Sequence, residues 1–228
     1  MTELRRAFAI ILILLVLFFW FGLALGLDDN RQNRFDTPIE QTLAFDVFIG
    51  KKNIGHHFFS IIQGKKKTIV QSRALFDYRI FNVSVYKYKH YSSEIFDSNL
   101  CLTELDSSTE SQIKIRGSLF QTVSGRRQED GFKVTGSNDQ LIAVNCMMPF
   151  AYWAPEILRQ SSLLNAQSGK EIRISVTKLV GSHLGKRYLL QGEDLDIEVQ
   201  YSSKGDWVAL SSRIGNGRIL SYVKYEEE

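Results

Sequence analysis

Four histidines, two cysteines and one cluster of carboxylates are the residues of this chain whose types could carry chemistry. His56 and His57 are neighbours, and neighbouring side chains on an extended strand point to opposite faces, so the pair cannot grip one metal ion. His90 and His183 lie far off with no second ligand at usable spacing, and no metal or cofactor is expected. Asp194, Asp196 and Glu198 resemble an acid cluster. The last two alternate with Leu195, Ile197 and Val199, which reads as the wet side of a strand whose other side is dry, and predicts solvation rather than acid or base catalysis. No Gly-x-Ser-x-Gly elbow occurs in the sequence, so no residue is assigned a catalytic role. A Ser-His-acid triad assembled in space stays open, with His56, His90 or His183 as its base.

Tyr86-Lys87-Tyr88-Lys89-His90-Tyr91 interleaves rings with bases, as platforms for single-stranded nucleic acid do. Alternation sends Tyr86, Tyr88 and His90 to one face and Lys87 and Lys89 to the other, which parts the stacking groups from the charges. An aromatic inner face of a sheet is the better reading. The formal net charge of +3 on 228 residues also removes most of the case for a nucleic-acid binder. Phosphate loops are absent, because Gly215-Asn216-Gly217 reads as a turn between strands and opens no helix. Asn82-Val83-Ser84 matches a glycosylation acceptor by pattern alone, within a predicted strand, and is set aside.

Positioning these residues falls to a chain with period-two patterning over most of its length. Leu43 to Ile49, the turn 50–53 and Ile54 to Ile62 predict a hairpin. Further strands are predicted over Thr68 to Ile80, Val83 to Tyr91 with a stop at Asp97-Ser98-Asn99, Cys101 to Leu105, Ile113 to Val123, Phe132 to Thr135 and Leu141 to Val144. Later ones follow over Glu171 to Val180, Arg187 to Gln191, Leu195 to Tyr201, Trp207 to Ser212 and Arg218 to Tyr225, with Asn216-Gly217 as a type I′ hairpin signal. The fold class is therefore all-β and mainly antiparallel: a curved sheet or partly closed barrel of about a dozen strands, since a flat sheet of that size leaves costly edges. One segment breaks the rhythm. Pro155-Glu156 with apolar residues at 157, 158, 163 and 164 predicts a single short helix. Its very apolar lead-in, 147–153, suggests that it covers a mouth of the sheet.

Arg5 and Arg6 precede an uncharged run from Ala7 to Leu27, whose length suits a helix crossing the hydrocarbon core. Residues 1–27 are thus expected to be a membrane anchor, residues 28–38 a polar tether, and residues 39–228 a single β-rich domain. The alternative is cleavage after Gly26, where Ala24-Leu25-Gly26 offers a peptidase site. The positive-inside rule sends residue 28 onward out of the cytoplasm either way. The expected place is the inner membrane with the domain in the periplasm, or the periplasm after cleavage. Glu3, Arg5 and Arg6 carry a net +1, which leaves +2 on the exported part. An even pair, Cys101 and Cys146, in an oxidising compartment makes a disulfide the default reading; two buried free thiols or a reactive pair are the alternatives.

The block Phe150-Ala151-Tyr152-Trp153-Ala154-Pro155 followed by Leu163-Leu164-Asn165-Ala166-Gln167-Ser168-Gly169 resembles a family of uncharacterised exported proteins of Gram-negative bacteria, the DUF6134-type domain of unknown function. Phe45-Asp46-Val47, Ile54-Gly55-His56, Tyr86-Lys87-Tyr88 and Gly192-Glu193-Asp194-Leu195 extend the likeness over about residues 41 to 225. The resemblance implies a one-domain antiparallel β protein behind a signal or anchor, with Cys101 and Cys146 matching a recurring pair, and it implies no activity. By fold analogy alone the architecture is similar to lipocalin-like barrels and lipoprotein carriers. The excess of aromatic residues and a membrane nearby lead to the expectation of a non-enzymatic envelope protein. It would hold an apolar small molecule, a lipid or a lipidated partner in a cavity lined by Phe45, Tyr86, Tyr88, Phe150, Tyr152 and Trp153. An envelope glycan or lipid hydrolase or transferase, and a scaffold of a membrane complex with an unknown protein partner, are the other expectations.

Overall fold

The computed structural model describes residues 37–115, 117–136, 139–180 and 185–225. The anchor predicted at 7–27, most of the tether, and His183 lie outside the described residues. Among the described residues no helix is long and apolar enough to cross a membrane.

The first half of the domain is a run of hairpins: β1 (Ile39–Ile49), β2 (Lys52–Gln63), β3 (Lys67–Ile80), β4 (Val83–Asp97), β5 (Leu102–Ile113), β6 (Gly117–Gln128), β7 (Gly131–Gly136) and the short β8 (Gln140–Ile142). The last part holds β11 (Ser175–Leu179), β12 (Lys186–Gly192), β13 (Leu195–Tyr201), β14 (Trp207–Ile214) and β15 (Arg218–Lys224). These thirteen strands form one sheet in the order β11-β12-β13-β14-β15-β1-β2-β3-β4-β5-β6-β7-β8. Each neighbouring pair is antiparallel, and β15 returns to lie beside β1 with Val47 opposite Tyr222. Period-two sequence produces this directly: in β1, Leu43, Phe45 and Val47 are buried while their neighbours are not.

Between the two wings the chain leaves the sheet. Residues 143–174 form a plug containing a 3₁₀ turn (Pro155–Arg159) and a small hairpin of β9 (Ser162–Leu164) and β10 (Glu171–Arg173). Both wings close on this plug. The core joins Leu102, Leu105 and Phe132 of the first wing, Leu190, Val199 and Trp207 of the second, and Met148, Ile157 and Leu164 of the plug. Burying a large apolar side chain contributes about 1.5–3 kcal/mol, so these contacts are enough to hold the sheet curved. Hydrogen bonds fix the docking. Leu102 N–H donates to the Met147 carbonyl at 2.8 Å, and within the plug Leu164 N–H donates to that of Met148 at 2.9 Å. From the other wing, the Tyr201 hydroxyl donates to the Tyr152 carbonyl at 2.9 Å. The Cys101–Cys146 disulfide, with Cα atoms 4.9 Å apart, ties the plug's start to the β4–β5 turn.

Three local expectations are corrected. The predicted helix is only a 3₁₀ turn, because residues 162–164 are taken as a strand by β10. The predicted strand over Ile113 to Val123 is interrupted, since β5 ends at Ile113 and β6 starts at Gly117, a hairpin whose turn carries no Pro and only one Gly to announce it. Type I′ character belongs not to Asn216-Gly217, which lies in a 3₁₀ turn, but to Phe81-Asn82. Both of these residues have positive φ, between the paired Ile80 and Val83. Asn82 therefore sits in a turn, outside the strand in which the glycosylation pattern was placed.

Candidate functional site

One face of β4 builds the floor of the site. Tyr86, Tyr88, His90, Ser92 and Glu94 occupy every second position, and all five line a cavity of about 550 Å³ between sheet and plug. The aromatic part is a stack: Tyr86 on Tyr88 at 6.3 Å, Tyr88 on His90 at 6.3 Å, and Phe76 of β3 against Tyr88 at 5.3 Å. Phe150, Tyr152 and Trp153 of the plug line the cavity from above, and Trp207 and Tyr222 from the second wing. Gln167 of the plug donates to the Tyr88 hydroxyl, which pins the plug over the aromatic row.

Five of the six residues expected to line a cavity, Tyr86, Tyr88, Phe150, Tyr152 and Trp153, do line it. Phe45 does not. It is fully buried behind the wall, 4.0 Å from the Trp207 ring centre and edge-on to Phe59 at 6.3 Å. Its strand partner geometry turns it into the core, and position parity alone cannot tell the core from a cavity wall.

The polar half of the cavity was not anticipated. Ser72 of β3 and Ser92 share a hydrogen bond at 3.0 Å, and Ser92 donates to the Glu94 carboxyl at 3.1 Å. His90 Nδ1 meets Thr109 Oγ1 at 2.8 Å. His57 of β2 stacks on Phe59 at 4.1 Å, and its Nδ1 lies 3.4 Å from the Tyr222 hydroxyl. Among the described residues, two buried side-chain polar atoms have no hydrogen-bond partner: Nε2 of His57 and Nε1 of Trp153. Desolvation governs the titrations. It pulls His90 down to about 4; His57, further opposed by His90, falls to about 3; and Glu94 is pushed up to about 7 against the opposing Ser92 hydrogen bond. The Tyr88, Tyr152 and Tyr222 hydroxyls are all raised by burial. The signal for Ser92 and Glu94 was present in the sequence, since they continue the parity of Tyr86, Tyr88 and His90 along an unbroken strand.

His56 points the other way, to the outer face, where its Nδ1 lies 2.8 Å from Asp46. Among the described residues the hydrogen bonds contain no serine–histidine–acid relay, and no group of three or more His, Cys, Asp or Glu side chains could hold a metal ion. Glu198 of the sequence's acid run is bound by Arg187 in a two-point ion pair of 2.6 and 2.7 Å. A wider depression of about 710 Å³ lies across β2–β5, with Ser60, Arg73, Tyr91 and Ser108 of the outer face among its lining residues. Arg73 lies over the Phe58 ring there at 5.5 Å.

Comparison with known proteins gives a family and a fold. A family described as Domain of unknown function (DUF6134) matches residues 45–224. No curated protein matches the chain. Among solved structures the fold is similar to a beta-barrel-like protein of the domain of unknown function DUF1849 from Brucella abortus. The TM-score is 0.60 at 6% identity, covering 84% of this chain and 98% of that one.

Proposed function

This chain belongs to the DUF6134 family, and we propose that it is an exported, non-enzymatic protein of the cell envelope that holds an apolar or amphipathic molecule in the cavity between sheet and plug. The observation that carries this reading is the cavity itself. At about 550 Å³ it falls in the range of small-molecule sites, and its aromatic walls carry a few convergent polar groups, as such sites do. Support also comes from the strand ends. Ile49, Tyr86, Ile214 and Leu220 line the cavity next to the turns on one rim, where the β3–β4 turn exposes Phe81 (97%) and the neighbouring β5–β6 turn exposes Ile115 (88%). Apolar side chains left in water at a cavity's apolar end fit a protein that meets lipid. In this reading residues 7–27 tether the domain to the inner membrane, or are removed after Gly26.

The test is direct. Exported from Asp28 onward and purified without detergent, the protein is expected to carry near-stoichiometric lipid extractable into organic solvent. Ala74→Phe, which fills the cavity from a buried wall position, should fold with a loss of about 1–3 kcal/mol and carry less than a tenth as much. An empty wild-type protein would overturn the reading.

A further inference from the structure

Among the described residues the cavity lining contains no lysine or arginine, and its one acidic group is Glu94. Its other titratable groups are His57 and His90 of β2 and β4, Tyr86 and Tyr88 of β4, Tyr152 of the plug and Tyr222 of β15. Along β4 the row from Tyr86 to Glu94 covers eight residue steps, or about 26 Å of strand, with rings at one end and hydroxyls and a carboxyl at the other. Phe96, next on the same face after Glu94, meets the Trp153 ring edge-on at 5.5 Å. The Trp153 ring therefore borders the polar end.

Resting on the functional reading above, we infer that the cavity selects a neutral, hydroxyl-bearing amphiphile, such as a monoacylglycerol, and rejects anionic ones. A buried polar atom without a partner costs about 1–3 kcal/mol, so the occupant is chosen by what it can offer the groups at the polar end. The Glu94 carboxyl and the serine oxygens accept. A hydroxyl donates to either of them without bringing a charge. A carboxylate or phosphate head would enter a low-dielectric space with no cation to meet it and with Glu94 to repel it. An alkylammonium could pair with Glu94 but would bury two charges whose desolvation their attraction does not reliably offset. The neutral imidazoles add no charge, since burial holds both histidines well below their ordinary range.

The experiment places the full chain in phosphatidylcholine nanodiscs at pH 8 and offers photoactivatable diazirine analogues of one chain length: a monoacylglycerol, a fatty acid and an alkylamine. Crosslinks are mapped by peptide mass spectrometry and normalised to labelling of the disc scaffold. The monoacylglycerol is expected to label the peptides holding Tyr86–Glu94 and Phe150–Trp153 at least tenfold more than either charged analogue. Glu94→Leu, which removes a buried acid and so should not weaken the fold, is expected to raise fatty-acid labelling at least fivefold. Equal or stronger labelling by the fatty acid or the amine overturns the selectivity while leaving a lipid-holding cavity. No labelling of these peptides by any of the three overturns both.

Discussion

At the scale of single residues, Glu94 and His90 share one row of one strand, and burial moves their protonation in opposite directions. Glu94 titrates at about 7 when folded, above its ordinary 4.5. Its contribution to stability is therefore fully present below pH 4.5 and lost as pH rises through 7, by up to about 3 kcal/mol. His90 titrates at about 4, below its ordinary 6.5, so its contribution is present above pH 6.5 and lost as pH falls through 4. Urea unfolding at pH 5, 6, 7 and 8 should show the wild type losing about 3 kcal/mol relative to Glu94→Gln across that range. Parallel curves would mean that water reaches this carboxyl freely. Gly55 gives a second test. Its φ is +140°, and a Cβ there would lie 2.0 Å from the Leu75 carbonyl oxygen, beside the bulge between Val47 and Phe48. Gly55→Ala is expected to cost about 2 kcal/mol or more, from backbone strain plus a displaced β2–β3 pairing, read as a lowered urea midpoint. Parity made the aromatic row legible in the sequence, but whether a buried position faces packed core or open cavity depends on what lies opposite. For Phe45 that is Trp207, more than 160 residues away, and no local pattern reports it.

At the scale of elements, the sheet was legible, and so was a segment covering it, but not how that segment folds. Strands announce themselves by alternation, as Leu195 to Tyr201 does without exception. The plug is held by long-range partners: a lone parallel bridge from Pro149 to Leu164, the β9–β10 pairing, and the Tyr201 hydroxyl on the Tyr152 carbonyl. Its apolar spacing at 157, 158, 163 and 164 satisfies a helix equally well, and only the strand partner at 171–173 decides the matter. The disulfide is the covalent part of this docking. Its sequence separation of 45 residues corresponds in the chain-entropy account to about 4 kcal/mol. Reduction, or Cys101→Ala with Cys146→Ala, should lower stability by an amount of that order. The plug should loosen first, seen as faster amide exchange at Met148 and Leu164 than at Val70 or Ile61. Uniform acceleration across plug and sheet would show that the plug has no independent opening.

At the scale of the whole molecule, the return of β15 to the side of β1 makes the two wings one continuous sheet, and a common plug makes their cores one core. A cavity walled by such wings keeps a fixed shape only if the wings cannot part separately. The three tryptophans allow this to be measured: Trp153 reports the plug, Trp207 the second wing, and Trp20 can be removed by Trp20→Phe. With the disulfide intact, denaturant unfolding followed by tryptophan fluorescence and by far-ultraviolet circular dichroism should give coincident transitions. The dichroism is weighted toward the long strands of the first wing, so independent wings would separate the two curves. Separation would mean that Trp207 and Tyr222 can leave the cavity wall while Tyr86 to Glu94 stay in place. The aromatic row would then be a shelf rather than a cleft walled on both sides, and selection of a ligand by its head group would lose its physical basis.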